Sequence, residues 1–229
     1  MRDLGKIVLH IPAREGSKRV LRKNMRLMNG KPMIAHVIEA TIRSDVTENI
    51  YVNTDAQEII EYINEIYPSV KIYKRDPQLA NDNASSDQFN FDIINALQPD
   101  TLIMINPVCP LIDESDIKKA VETYKKSDCD TLITSESTQM QTFCDGEPIN
   151  IKLDEQLAPS QKNKKITILN WAITIWEVSS FKQRMKEQGF AVLGEKREFL
   201  DIEPIKATKV SEEKDFLFAQ QLLKLRSYQ

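Results

Sequence analysis

Lys6-Ile7-Val8-Leu9-His10-Ile11-Pro12-Ala13-Arg14-Glu15-Gly16-Ser17-Lys18-Arg19-Val20-Leu21-Arg22-Lys23-Asn24 joins two unlike patterns within nineteen residues. The apolar run from Lys6 to Ile11, rich in β-branched residues and closed by Pro12, reads as a strand. The segment after Pro12 crowds Arg14, Lys18, Arg19, Arg22 and Lys23 into ten residues that also hold Gly16 and Ser17. In open α/β sheets ligands bind at the carboxyl edge of the strands, which is where this loop emerges.

Outward from that stretch the chain alternates. Lys31 to Arg43 carries Met33, Ile34, Val37, Ile38 and Thr41/Ile42 at helical spacing after a first-turn proline. Ile50 to Val52 reads as a strand ending at Asn53-Thr54-Asp55, and Gln57 to Ile66 as a helix with Ile59, Ile60, Ile63 and Ile66 on one face. Val70 to Tyr73 is a short strand. After a polar stretch from Leu79 to Gln88, a helix runs to about Leu97, and Thr101 to Ile105 reads as a buried central strand. Asp113-Glu114-Ser115-Asp116 opens the next helix with negative charge where the dipole favours it. Thr131 to Thr134, Trp171 to Trp176 and Ala207 to Val210 are read as strands, and Ser179 to Gln188 and Glu212 to Leu225 as helices. The alternation predicts an α/β fold: a Rossmann-like, mostly parallel sheet flanked by helices. Residues 135–165 break the rhythm with Pro148, Pro159 and only short strand-like runs, which predicts a small β-rich arm on a single domain spanning 1–229.

The 229 residues suit one large domain, and 41% hydrophobic with 28% charged residues is the composition of a folded globular chain. A net charge of -3 argues against nucleic acid or an anionic membrane as partner, and no apolar stretch reaches the roughly 20 residues of a membrane span. The polar start of the chain predicts a cytoplasmic protein without a secretory leader. Cys109, Cys129 and Cys144 are odd in number and far apart, and read as free thiols. His10 and His36 have no triad or metal-site pattern around them and are taken as structural.

Cations on a small-residue loop suit a triphosphate, because backbone N–H groups approach its oxygens while guanidinium and ammonium groups neutralise them. Neither G-x-x-x-x-G-K-[ST] nor a post-strand G-x-G-x-x-G is present, which excludes a P-loop and argues against a dinucleotide fingerprint.

At these residues a resemblance becomes specific. Ile-Pro-Ala-Arg-x-Gly-Ser-Lys-x-x-x-Arg-Lys-Asn from Ile11, then Asn29-Gly30-Lys31-Pro32-Met33-Ile34, resembles the opening of the acylneuraminate cytidylyltransferase family, which makes CMP-sialic acids and related CMP-sugars. The likeness continues through Val52-Asn53-Thr54-Asp55, Arg75-Asp76-Pro77-Gln78-Leu79-Ala80-Asn81-Asp82, Ala84-Ser85-Ser86 and Pro107 to Leu111, covering about the first 110 residues. It implies transfer of CMP from CTP to a sugar or sugar-like acceptor with release of pyrophosphate, in surface polysaccharide biosynthesis, by a homodimer joined through residues 135–165. The residues it implies for nucleotide binding are Ala13, Arg14, Gly16, Ser17, Lys18, Lys23, Asn24, Arg75, Ala84 and Ser85, with Arg14 and Lys23 countering charge at the reacting phosphorus. Asn106 and Asn170 fall on the acceptor side. Taken singly, Ser85 and Ser86 are also natural helix caps.

Members of that family carry Asp-x-Asp before the last helix to hold magnesium. Lys209 and Ser211 stand at those positions here, with Asp215 and Ala219 matching downstream. Asp55, ending a strand at the carboxyl edge, becomes the candidate metal contact, with a helix-cap role for it equally open, and Asp201 and Glu203 are substitutes on one face of a possible strand. On the acceptor side Val108, Cys109 and Ile112 replace two hydroxyls and a cation, and Ile168-Leu169-Asn170-Trp171 replaces Arg-Pro-Asn-Gly, which predicts an acceptor other than the usual nonulosonic acid. Trp171 reads as a stacking ring or as core. The same residues support two rival readings. One is a catalytically silent nucleotide-binding paralogue, motivated by Lys209 and Ser211; the other is a glycosyltransferase using Asp128-Cys129-Asp130.

Overall fold

In the computed structural model, which describes residues 1–226, β1 (Ile7–Pro12) lies inside a seven-stranded sheet and buries four of its six residues. A strand covered on both faces needs a continuous apolar run, which Val8 to Ile11 supplies around His10. The loop after it leads to the hairpin β2 (Leu27–Met28) and β3 (Lys31–Pro32), turned by Asn29-Gly30 at φ +50° and +86°. Both turn residues adopt the left-handed conformation that a tight hairpin favours. Then come α1 (Met33–Ser44), β4 (Ile50–Thr54), α2 (Gln57–Ile66), β5 (Lys71–Lys74), α3 (Ser86–Leu97), β6 (Thr101–Ile105) and α4 (Glu114–Lys126). The second half holds β7 (Thr131–Thr138), β8 (Phe143–Cys144), β9 (Glu147–Pro148), β10 (Ile166–Glu177), α5 (Val178–Gln188), β11 (Arg197–Asp201) and α6 (Glu213–Arg226).

The sheet order is β11-β7-β10-β6-β1-β4-β5, with β10 antiparallel to both neighbours and every other pairing parallel. From β1 the chain winds out through β4 to β5, then returns to β6 on the other side of β1. The order therefore reverses between β1 and β6, which opens a crevice at their carboxyl ends. Helices cover both faces. Ile34, Val37 and Ile38 of α1, Ile59 and Ile63 of α2, and Ile117 and Val121 of α4 fill one core, while Ile93 and Ile94 of α3 and Phe181 of α5 fill the other. A third apolar cluster joins Phe216 and Ala219 of α6 to Val20, Met28, Met33 and Leu111.

The α/β class and the parallel alternation agree with the sequence reading, and three local readings need correction. Ala207 to Val210 is not a strand but the coil after a turn, held where the Val210 N–H donates to the Val108 carbonyl (2.8 Å). The last strand is instead β11, whose only buried residue is Leu200, so no alternation marks it. The first residues of the expected arm belong to the sheet, because Ser135 to Thr138 pair with Ile166 to Leu169. The β8–β9 hairpin and a short turn of helix at Ser160–Lys162 fill the segment beyond them. Ile66, expected on the buried face of α2, is 49% exposed.

Truncation should separate these positions. Ile38, with no exposed surface, should lose about 2–5 kcal/mol as Ile38→Ala, while Ile66→Ala should stay within about 0.5 kcal/mol of wild type. Urea denaturation measures both, and equal losses would contradict the assignment of the core.

Candidate active site

The crevice at the carboxyl ends of β1 and β6 is a cleft of about 720 Å³. Pro12 ends β1 because it cannot donate to a ladder, and the loop beyond it folds back over the sheet edge. Four attachments fix it. The Glu15 N–H donates to Asp55 Oδ1 (3.0 Å), Asn24 Nδ2 donates to the Arg14 carbonyl (3.3 Å), and Lys23 Nζ donates to the Val210 carbonyl (3.0 Å). Val20 is 2% exposed and seats the loop in the α6 cluster.

Among the described residues six cations line the cleft, Arg14, Lys18, Arg19, Lys23, Arg75 and Lys209, against one carboxylate, Asp82. Asp82 pairs with both Arg14 (2.8 Å) and Lys18, and these cations hold its carboxyl below the usual range. Arg75 is buried, its Nε donating to Asn53 Oδ1 (2.8 Å), its Nη2 to the Asn53 carbonyl (3.0 Å), and its guanidinium lying 4.7 Å from the Phe89 ring. Burial lowers the Arg75 pKa to about 10, with Asp55 opposing the shift. Lys23 is half-buried, and burial followed by Arg19, Lys209 and Arg14 pushes its ammonium below the normal lysine range. Such a cavity favours any ligand that brings concentrated negative charge. Burial pushes the neighbouring Cys109 thiol up to about 12, which leaves it unreactive.

Of the sequence-predicted residues, the structure brings Arg14, Gly16, Ser17, Lys18, Lys23, Asn24, Arg75 and Asn106 together on the cleft. Ala13 instead packs in the core, its N–H donating to the Asn53 carbonyl. Ser85 caps α3, accepting from the Gln88 N–H while Gln88 Oε1 accepts from the Ser85 N–H, and the Ala84 N–H donates to Asn81 Oδ1. Neither lines the cleft; Ser86 and Phe89 reach it from that helix. Asn170 is buried in a bulge, its Oδ1 accepting from Thr134 Oγ1 (2.7 Å). Asp55 does not cap α2, whose N-cap is Ala56 without a side-chain bond, and its carboxylate instead accepts from the loop at Glu15. Arg22, part of the basic run, turns away to pair with Glu58. Met104, Trp171 and Val192 complete the wall, and only Trp171 among them had a signal in the sequence.

The donor set does not fit a protein-held divalent cation. Among the described residues no three of His, Cys, Asp and Glu converge, Lys209 and Ser211 line the cleft at the positions where the resemblance implies carboxylates, and Asp82 is committed to two cations. Asp201, a candidate substitute, accepts from Ser135 Oγ (2.7 Å), Ser137 Oγ (2.6 Å) and Lys165 Nζ (2.9 Å), which hold its carboxyl down at about 2. Glu203 is exposed, and neither residue lines the cleft.

A family model described as cytidylyltransferase matches residues 8–190. The CMP-N,N'-diacetyllegionaminic acid synthase of Legionella pneumophila is 32% identical over 144 residues, 61% of this chain and 62% of that protein, so the match spans under two thirds of that relative's length. The post-translational flagellin modification protein B of Campylobacter coli is 28% identical over 242 residues, covering 99% of this chain and 98% of the relative. A CMP:2-keto-3-deoxy-manno-octonic acid synthetase solved with CTP superposes with a TM-score of 0.71 at 15% identity, covering 96% and 99% of the two chains, which places the two in one fold.

Because its pKa is depressed, Lys23 loses its charge earlier than an ordinary lysine as pH rises. Inorganic tripolyphosphate, which needs the ammonium, should therefore bind more weakly on the alkaline side of neutrality. Lys23→Arg, which cannot deprotonate there, should remove that limb. Calorimetry at stepped pH reads both, and a pH-independent wild type would place the anion away from Lys23.

Proposed function

The chain belongs to the cytidylyltransferase family, and from that premise we propose that it couples CTP to a sugar-acid acceptor, forming a CMP-sugar and pyrophosphate for surface polysaccharide or related glycan synthesis. The observation that carries the reading is the cleft itself, six cations against a single carboxylate at the reversal point of the sheet. That charge suits a triphosphate with a carboxylate-bearing acceptor beside it, and the names of the relatives supply the nucleotide and the acceptor class.

In this reading the acceptor hydroxyl oxygen attacks the α-phosphorus, its proton passes to solvent, and the bond from that phosphorus to the bridging oxygen breaks as pyrophosphate leaves. Phosphoryl-type transfer asks the protein chiefly for in-line positioning and neutralisation of developing charge. Arg14 and Lys18 exchange Asp82 for phosphate oxygens, Lys23 stands over the reacting phosphorus, and Arg75 with Phe89 walls the base. Lys209 adds a fixed cation where the family pattern has a carboxylate, so the chain's own residues carry the charge and no step is assigned to a metal.

The two changes expected to alter the acceptor fall differently on the structure, since Val108 lines the cleft and Ile168 does not. Ile168 sits where β10 pairs with Glu136 of β7, 43% exposed and outside the cleft. We place the protein in the cytoplasm, since its three cysteines are free and a reducing compartment keeps them so; among the described residues no helix is long and apolar enough to cross a membrane. Met140, Phe143, Ile149, Leu153 and Leu157 are exposed along the β8–β9 segment, and that apolar surface supports its role as the dimer contact.

Pyrophosphate release from CTP with N-acetylneuraminic, N,N'-diacetyllegionaminic or 2-keto-3-deoxy-manno-octonic acid tests the activity. Arg14→Ala should weaken CTP binding about 10- to 150-fold, the equivalent of a lost charge-assisted bond of about 1.5–3 kcal/mol. Unchanged affinity, or CTP binding with no release from any of the sugars, would contradict the reading. Removal of residues 139–161 should convert a dimer into a folded monomer by light scattering, and a persisting dimer would put the interface elsewhere.

A further inference from the structure

Six non-glycine residues among those described have positive φ, and five have a local reason for it. Asn29 and Asp145 turn two-residue hairpins ahead of Gly30 and Gly146, Asp45 and Gln98 end helices, and Arg22 sits in a turn closed by the Met25 and Arg26 N–H groups. The sixth is Trp171, at φ +60° inside β10. A bulky aromatic is a costly occupant of the left-handed region, which glycine enters freely.

The strand around it is built to hold that conformation. Register with β7 runs from Leu169 opposite Ser135 to Thr174 opposite Ile133, so the four residues Asn170 to Ile173 face the single Thr134. Thr134 Oγ1 donates to Asn170 Oδ1 (2.7 Å) and accepts from the Ile173 N–H (3.0 Å), while Asn170 Oδ1 also accepts from the Ala172 N–H (3.1 Å). On the other side the Asn106 N–H donates to the Ala172 carbonyl (2.9 Å). The bulge is thus pinned to both neighbouring strands, and its product is a half-buried indole on the wall of the cleft that Met104 and Val192 also line. The indole N–H has no protein partner among the described residues. Strain held at a site by an over-determined surrounding points to use of the side chain displayed there.

We propose that Trp171 is the specificity wall of the acceptor subsite, its ring stacking on the C–H face of the acceptor's sugar ring and its N–H donating to a ring hydroxyl. This rests on the CMP-sugar reading above. An aromatic face with a polar edge matches a pyranose, which is apolar on its C–H face and polar around its rim. The basic loop follows β1 and Arg75 follows β5, whereas Trp171 belongs to β10 on the far side of β6 from them, so the nucleotide is held by other residues.

The test separates strain from binding. Trp171→Gly relieves the backbone whereas Trp171→Ala does not, so the glycine variant should melt about 2–4 °C above the alanine variant. With whichever of the three sugar acids supports pyrophosphate release, Trp171→Gly should raise the acceptor KM at least tenfold and leave the CTP KM within twofold, and Trp171→Phe should recover most of the loss. A glycine variant melting below the alanine variant, or parallel rises in both KM values, would overturn the proposal. Absence of pyrophosphate release by the wild type with all three sugars would overturn the functional reading, and the assignment of Trp171 with it.

Discussion

Confining like charges is the constraint around which this protein is organised. Arg14, Lys18, Arg19, Lys23, Arg75 and Lys209 face one cleft, and at Lys23 burial first, then Arg19, Lys209 and Arg14, disfavours the charged form. A flexible loop would spread such charges into solvent. Here it is prevented from doing so by apolar and polar anchors of different origin: Val20 in the α6 cluster, Asn24 and Asp55 on the loop backbone, and the Val210 carbonyl on Lys23. The cost of that concentration is offset when an anion arrives, so the fold stores part of the binding energy as preorganised positive potential.

The anchors explain which parts of the architecture were readable in advance. β1, α1 and β6 carry their burial in local periodicity, and the basic loop is a cluster of residue types, so both were legible from the sequence. Asp55 belongs to β4's edge and acquires its role only because β4 pairs beside β1 and its carboxylate meets the Glu15 N–H. β11 could not be seen because one buried residue, Leu200, makes no pattern. The resemblance implies Ala84 and Ser85 on the wall, whereas the residue reading of Ser85 as a helix cap holds: the capping box of α3 turns it to the helix end, and Ser86 and Phe89 line the cleft. Trp171 lay in a run that read as an ordinary strand, and its turn into the cleft depends on the bulge opposite Thr134, a long-range fact.

Two positions depart from what the resemblance implies. Lys209 stands where the resemblance implies a carboxylate, and it adds to the positive charge of the cleft. A point charge cannot bridge oxygens as a metal does, yet it needs no recruitment. Trp171 stands where the resemblance implies glycine, and the bulge holds it in the left-handed conformation that glycine enters freely.

A crystal structure of the protein grown with CTP tests the central claim most directly. The account predicts phosphate oxygens within hydrogen-bond distance of Arg14, Lys18 and Lys23, Asp82 displaced from its two cations, and the base against Arg75 and Phe89. CTP seated elsewhere, or a triphosphate bound with the Asp82 pairs to Arg14 and Lys18 still intact, would contradict it.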